Sequence, residues 1–122
     1  MQSLLLVAAG GAVGAMARYG AGALAVRLGL AGFPWSTLAV NLLGGFAMGL
    51  LAGWLAEGSP ALRLLLGVGV LGGFTTFSAF SIDVVRLMEA NELMPALAYV
   101  LASVIGAIGA CWLGLILARG GA

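Results

Sequence analysis

The chain has 122 residues, of which 63% are hydrophobic and only 7% are charged, and its mean hydropathy is +1.20. Soluble domains carry about 25% charged residues, so this composition excludes an ordinary soluble domain. The net charge of +1 indicates no nucleic-acid partner, and the lack of histidine excludes both a histidine metal site and a histidine general base. Cys111 is the only cysteine, so we expect no disulfide within one chain and interpret Cys111 as a small apolar filler.

Four apolar stretches are each long enough to cross a bilayer, because a spanning helix needs about 20 residues. The connections between them are short, so successive spans alternate in direction and both termini lie on one side. We therefore expect an all-α protein, multi-pass in the cell (inner or plasma) membrane, whose residues 1–122 form a single four-helix domain. With no extramembrane domain left for soluble chemistry, an enzyme is not expected. The predicted spans are residues 3–26, 35–55, 61–87 and 95–118.

The first span carries one charged residue, Arg18, in an otherwise apolar helix. A charge at the bilayer centre costs about 2.5–3.5 kcal/mol on insertion scales. Arg18 is therefore interpreted either as a structural or interfacial anchor, or as a source of positive potential at a vestibule that attracts anions. Residues 3–14 are apolar as well, but no positive charge precedes them, so a cleaved signal peptide is not expected.

In the second span, Thr37 and Asn41 lie four residues apart and share one helical face. An asparagine carboxamide in hydrocarbon needs partners for two donor hydrogens and one acceptor oxygen. Asn41 is therefore either a hydrogen-bonding contact between helices or a donor that lines a pore.

The third span is interrupted by residues 72–76, with the sequence GGFTT, in the middle of its apolar run. At membrane depth every backbone N–H and C=O needs a partner inside the protein, so a helix breaks only where it is buried or lines a wet cavity. Phe77 and Phe80 follow the break with Ser78 between them. Aromatic ring edges are electropositive and can solvate a small anion. The segment therefore predicts a pore or an ion site, whereas two phenylalanines alone would indicate core packing.

In the fourth span, Tyr99 and Ser103 share a face that continues to Ala107. Hydroxyls on that face, opposite the break, predict a narrow conduit of hydrogen-bond donors without fixed charge. The span interiors hold no acidic residue, and Asp83 lies near the end of the third span. Cation transport driven by membrane carboxylates therefore has no obvious residue to use.

Small residues recur at four-residue spacing in three spans, which lets helix backbones approach closely. Such rows serve packing within one chain or between copies, and we expect a tightly packed bundle that forms a homodimer. The rows are Gly10 and Gly14; Gly45, Gly49 and Gly53; and Ala102, Gly106, Ala110 and Gly114.

The arginines outside the first span are divided equally between the two sides of the membrane. Arg63 and Arg119 fall on the side of the N-terminus, and Arg27 and Arg86 on the opposite side. The positive-inside rule then favours neither orientation. This balance is compatible with insertion in both directions and with pairing of two oppositely oriented copies.

Taken in order, three segments make the chain similar to the Fluc (CrcB) fluoride channels along nearly its whole length. The segments are residues 10–19 (GGAVGAMARY), 37–44 (TLAVNLLG) and 72–80 (GGFTTFSAF). The last, with the pattern GGxTTFSxF, is highly specific in a four-span protein of this length.

The resemblance implies an antiparallel, dual-topology homodimer with two fluoride pores and a central structural sodium ion. Backbone carbonyls of Gly72 and Thr75 from both subunits would bind the sodium. The phenylalanines would turn their ring edges to fluoride. The departure from some relatives at Ala107 would leave the polar track either shorter or continued by water. Implied pore residues are Asn41, Phe77, Phe80, Ser78, Tyr99, Ser103 and Thr37, with Arg18 at the vestibule.

The implied function is a passive channel through which cytoplasmic fluoride leaves down its electrochemical gradient. One alternative is a small dual-topology multidrug or cation exporter, which would need a carboxylate in the first span where this chain has none. The other is a non-transporting membrane assembly subunit, which the small-residue rows alone would allow but which leaves Asn41 and residues 75–80 unexplained.

Overall fold

The computed structural model describes residues 1–120 and contains only helices and their connections over that range. Three long helices and one interrupted helix, Pro60–Glu89, are each long and apolar enough to span a membrane. The predicted four-span, all-helical architecture is confirmed. The helices are α1 (Gln2–Arg27), α2 (Trp35–Trp54), α3 (residues 60–74), α4 (Phe77–Glu89) and α5 (Leu93–Gly120).

The third span divides into α3 and α4 at two extended residues, Thr75 (φ −82°, ψ 156°) and Thr76 (φ −152°, ψ 124°). The sequence predicted an interruption over residues 72–76, but Gly72–Phe74 remains helical. The reason is local: the backbone N–H and the hydroxyl of Thr75 both donate to the Leu71 carbonyl, at 3.0 and 2.9 Å, and hold the last turn of α3 closed.

Most of α3, Arg63–Leu71, is a π-helix, which the sequence did not predict. This segment lies directly against the backbone of α1. A Cβ on Gly69 would come within 2.9 Å of the Gly10 Cα, and a Cβ on Gly10 would collide with the Leu65 carbonyl. π-Helices are rare beyond a single turn and often occur near functional sites. This one leads directly into the break.

The predicted glycine rows pack between helices of the same chain. A Cβ on Gly45 would lie 2.9 Å from the Ala107 carbonyl oxygen, and one on Gly49 would lie 2.8 Å from the Leu115 amide nitrogen. The rows therefore bring α2 and α5 together, and these two helices form the largest contact in the fold.

The buried core lies towards the end of the bundle that holds the α1–α2 and α4–α5 connections. It is built from α2, α4 and α5 around Tyr99, which is fully buried. Many other large apolar side chains are exposed in the single chain, as expected for helices that face lipid or a second subunit. The core cluster comprises Leu38, Phe80, Leu87, Ala96 and Tyr99.

Candidate functional site

Asn41 of α2 holds the break in the third span by pairing with the backbone of Thr76. The Asn41 Nδ2 donates to the Thr76 carbonyl at 3.0 Å, and the Thr76 N–H donates to the Asn41 Oδ1 at 2.8 Å. In a continuous α-helix that N–H would donate to the Gly72 carbonyl. The Gly72 carbonyl has therefore lost its α-helical partner.

Thr76 also begins α4 as its N-cap, since its hydroxyl accepts a hydrogen bond from the Ala79 N–H at 3.1 Å. In a continuous helix the Ala79 N–H would donate to the Thr75 carbonyl instead. Thr75 therefore loses its α-helical partner as Gly72 does. These are the two carbonyls that the resemblance implies as cation ligands.

Arg18 of α1 reaches the same break from the other side. Its Nε donates to the Gly73 carbonyl at 3.2 Å. Arg18 and Thr37 share a polar recess of about 190 Å³ between α1 and α2 that borders on Thr76. The sequence left Arg18 open between an anchor and a vestibule charge, and the structure adds a direct contact with the interrupted backbone. The recess is lined by Arg18, Tyr19, Gly22, Ser36, Thr37, Val40, Thr76 and Ala79.

A larger cavity of about 430 Å³ lies between α2, the break and α5. Its wall is mainly apolar, with an amide and several hydroxyls and without an acidic or basic side chain. The structure thus brings together four of the predicted pore residues, Asn41, Phe77, Phe80 and Ser103. The full lining is Asn41, Gly44, Gly45, Met48, Thr75, Thr76, Phe77, Phe80, Ser103, Val104, Ala107, Ile108 and Cys111.

Ser103 is the polar group in this cavity that lacks a partner. Its side chain is 6% exposed, and its Oγ makes no hydrogen bond within residues 1–120. A buried hydroxyl left unpaired costs about 1–3 kcal/mol. The Oγ is itself enclosed by neighbouring atoms, so a partner would reach it only if the surrounding side chains moved.

The two phenylalanines after the break differ in their surroundings. Their ring centroids are 5.5 Å apart with an interplanar angle of 40°. Phe80 is 8% exposed and packs against Tyr99 at a centroid distance of 5.1 Å, whereas Phe77 is 77% exposed. Phe80 therefore belongs to the core as well as to the cavity wall, while the Phe77 ring is free to meet a ligand or a second subunit.

Three predicted pore residues lie outside the lining of this cavity, and one of them, Thr37, lines the Arg18 recess. Tyr99 sits between Phe33 and Phe80, and its hydroxyl donates to the Asp83 Oδ2 at 3.0 Å. Ser78 is exposed, and its Oγ lies 3.3 Å from the Thr76 Oγ1. The predicted track is thus divided between the cavity, the Arg18 recess and the core.

Sequence reasoning did not identify Thr76 as the residue that pairs with Asn41 and caps α4. It also did not place Cys111 in the cavity wall. Threonine is a preferred N-cap, so a threonine immediately before a helical pattern was an available signal for Thr76. Cys111 follows Ala107 by one further step of four residues on the same helical face. No local signal identified Asp83 as the partner of Tyr99.

The four spans and the interrupted third helix define a small multi-pass membrane protein with a polar site inside the bilayer. The family described as "CrcB-like protein, Camphor Resistance (CrcB)" matches residues 5–115, and the chain belongs to this family. It is a protein of the cell membrane and not an enzyme.

Curated relatives match over nearly the full length of both chains. A protein of Phenylobacterium zucineum is 55% identical over 98% of this chain and 97% of its own. Proteins of Sphingopyxis alaskensis and Caulobacter vibrioides are 53% and 50% identical with the same coverage. Each of these relatives is named a fluoride-specific ion channel FluC.

Proposed function

We propose that this protein is a passive, fluoride-selective channel that lets cytoplasmic fluoride leave the cell down its electrochemical gradient. The observation that carries the proposal is the cavity beside the break, whose wall includes Asn41, Phe77 and Ser103. The names of its relatives supply the identity of the ion.

The chemistry of this wall suits a small anion that must shed water. Asn41 uses one Nδ2 hydrogen on Thr76, and its second hydrogen remains available to a ligand. The N-terminus of α4 faces the same cavity and contributes positive potential. Donors without a fixed opposite charge bind an anion weakly enough for it to leave again, as conduction requires.

The proposed channel is an antiparallel homodimer with two pores. The Phe77 ring, Ser78 and Gly72 are all exposed in the single chain, although they belong to the most polar part of a membrane span. A second copy placed against the break would cover them and complete the cavity wall. The glycine rows already pack within the chain, so the exposed residues at the break remain available for contact with a second copy.

The residues at the break fit the sodium ion that the family implies. A hard cation prefers oxygen ligands, and the Gly72 and Thr75 carbonyls lack their α-helical partners. Two carbonyls are too few for such an ion, which needs the same pair from a second copy. Bound there, sodium would supply positive charge that links two subunits. Exhaustive exchange of sodium for N-methylglucamine should lower the dimer fraction in light scattering, and an unchanged fraction would count against the site.

The direct test is fluoride efflux from liposomes that contain the purified protein, followed with a fluoride-selective electrode. We expect rapid efflux of fluoride once a potassium ionophore removes the opposing voltage, and no comparable efflux of chloride. Absence of fluoride efflux from liposomes that contain folded protein would refute the proposal. Equal rates for both halides would refute the selectivity.

A further inference from the structure

Both extended residues of the break contact the same face of α2. Asn41 pairs with the backbone of Thr76. Gly44 lies three residues further along α2 and therefore on the same face. It is buried, and it lines the cavity together with Asn41 and Thr75. This face of α2 thus meets the break at two points, at Asn41 through hydrogen bonds and at Gly44 through a close contact.

The close contact of Gly44 is with the methyl group of Thr75. A Cβ on Gly44 would overlap the Thr75 Cγ2, whereas the next nearest atoms, the Phe74 Cδ2 and the Thr75 Cβ, would lie at ordinary distances of 3.5 and 3.6 Å. One methyl group therefore excludes a side chain at residue 44. Glycine is required there for this contact and not for backbone freedom, since Gly44 lies inside α2.

The direction of this methyl group is fixed by the hydroxyl on the same carbon. The Thr75 Oγ1 donates to the Leu71 carbonyl at 2.9 Å. Because threonine carries two heavy atoms on its Cβ, a hydrogen bond that holds Oγ1 in one rotamer also sets the direction of Cγ2. The methyl group cannot turn away from a larger residue 44 without breaking that bond. A displacement would pass instead to the extended backbone of Thr75, whose carbonyl lacks its α-helical partner.

We propose that Gly44 is a positioning residue for the conducting site. The space left by its missing side chain seats the Thr75 methyl group and thereby sets the place of the Thr75 carbonyl in the break. The same close approach keeps α2 near enough for Asn41 to reach Thr76. A methyl group on residue 44 would push the break away from α2 and disturb both contacts. This inference rests on the proposed function, because it treats the break as part of the ion path.

Moving one methyl group across this contact tests the inference. Gly44→Ala adds a methyl group to α2, and Thr75→Ser removes the one that it would overlap while keeping the hydroxyl that donates to Leu71. The double variant therefore conserves the volume at the contact, and volume-conserving changes are the best tolerated. Fluoride efflux from liposomes, normalised to folded protein, and the melting temperature in detergent are measured for the unaltered chain, both single variants and the double variant.

The effect of Gly44→Ala should depend on the residue at position 75. We expect it to lower fluoride efflux roughly tenfold or more in the unaltered chain, and less than about threefold in the Thr75→Ser background. The fall in melting temperature should shrink from about 5 °C or more to within about 2 °C between the same two backgrounds. Gly45→Ala is the matched control, because its Cβ would lie 2.9 Å from the Ala107 carbonyl oxygen on α5 and Thr75→Ser should not relieve that contact.

The outcomes separate the two proposals. Normal efflux per folded Gly44→Ala protein would overturn the inference, because Gly44 would then serve packing alone. Equal losses in both backgrounds, including failure to fold in both, would overturn it as well, and so would relief of Gly45→Ala by Thr75→Ser. If the unaltered protein carries no fluoride but the melting temperatures couple Gly44 to Thr75, the proposed function fails while the contact that positions Thr75 stands.

Discussion

At the scale of single residues, the Asn41 carboxamide accepts from the Thr76 N–H, which loses its helical acceptor at the break, and also donates to the Thr76 carbonyl. It does so from α2, on the wall of the cavity beside the break. The same side chain therefore stabilises the interruption and leaves one N–H for a ligand. Substitutions at this position should affect both the fold of the break and the passage of an anion.

We expect Asn41→Asp to abolish fluoride efflux. Aspartate still accepts a hydrogen bond from the Thr76 N–H but no longer donates to the Thr76 carbonyl, and its charge repels an anion strongly where the dielectric is low. Efflux should fall by about 100-fold or more in the liposome assay. Asn91→Asp makes the same chemical change in the exposed α4–α5 connection and should leave efflux near normal. Normal efflux through Asn41→Asp would contradict the role of Asn41.

The two phenylalanines should respond differently to isoleucine. Phe77→Ile removes an electropositive ring edge from an exposed position, so we expect efflux to fall with little change in thermal stability. Phe80→Ile also removes contact with Tyr99, so the melting temperature should fall together with efflux. Fluoride efflux and thermal denaturation in detergent measure the two effects. Phe74→Ile, outside the cavity lining, is the control, and normal efflux in Phe77→Ile would rule out a role for its ring.

At the scale of helices, α1 and α3 meet through their backbones. A Cβ on Gly14 would collide with the Val70 carbonyl and lie 2.7 Å from the Phe74 amide nitrogen. A Cβ on Gly11, one turn away, would meet nothing within 4 Å. The position of α3, and of the break at its end, therefore depends on glycine at residue 14.

We expect Gly14→Ala to destabilise the protein by about 1–3 kcal/mol, because the methyl group pushes rigid backbone apart. Gly11→Ala should be neutral or stabilise by up to about 1 kcal/mol, since alanine is the better helix former. Thermal denaturation monitored by size-exclusion chromatography compares the two variants. Equal melting temperatures would show that α1 and α3 separate without cost.

At the scale of the whole molecule, the equal division of arginines predicts insertion in both orientations. Ser59→Cys and Asn91→Cys, each in the Cys111→Ala background, keep every charge unchanged and report opposite ends of the bundle. An impermeant thiol reagent applied to cells should label part of each population from outside, and the remainder only after permeabilisation. Labelling of each position from one side alone would disprove dual topology and the antiparallel dimer with it.

The sequence by itself determined the class of structure and the family. Length and apolarity set the four spans, because transfer into a bilayer depends on the summed hydrophobicity of about 20 neighbouring residues. The segment of residues 72–80 located the break, since glycine and hydroxyl residues in a span mark backbone that leaves the helix. These properties are local, and a single sequence contains them in full.

Only the tertiary structure decided how the site is assembled. The break narrows to Thr75 and Thr76 because Asn41, 35 positions earlier than Thr76, accepts from the Thr76 N–H and donates to the Thr76 carbonyl. The Tyr99 hydroxyl finds its partner in Asp83, on a different helix, which accepts a hydrogen bond from it. Hydrogen bonds and backbone contacts between helices join residues that are distant along the chain. Residue spacing within one helix therefore shows which side chains share a face, but it does not determine their partners on other helices.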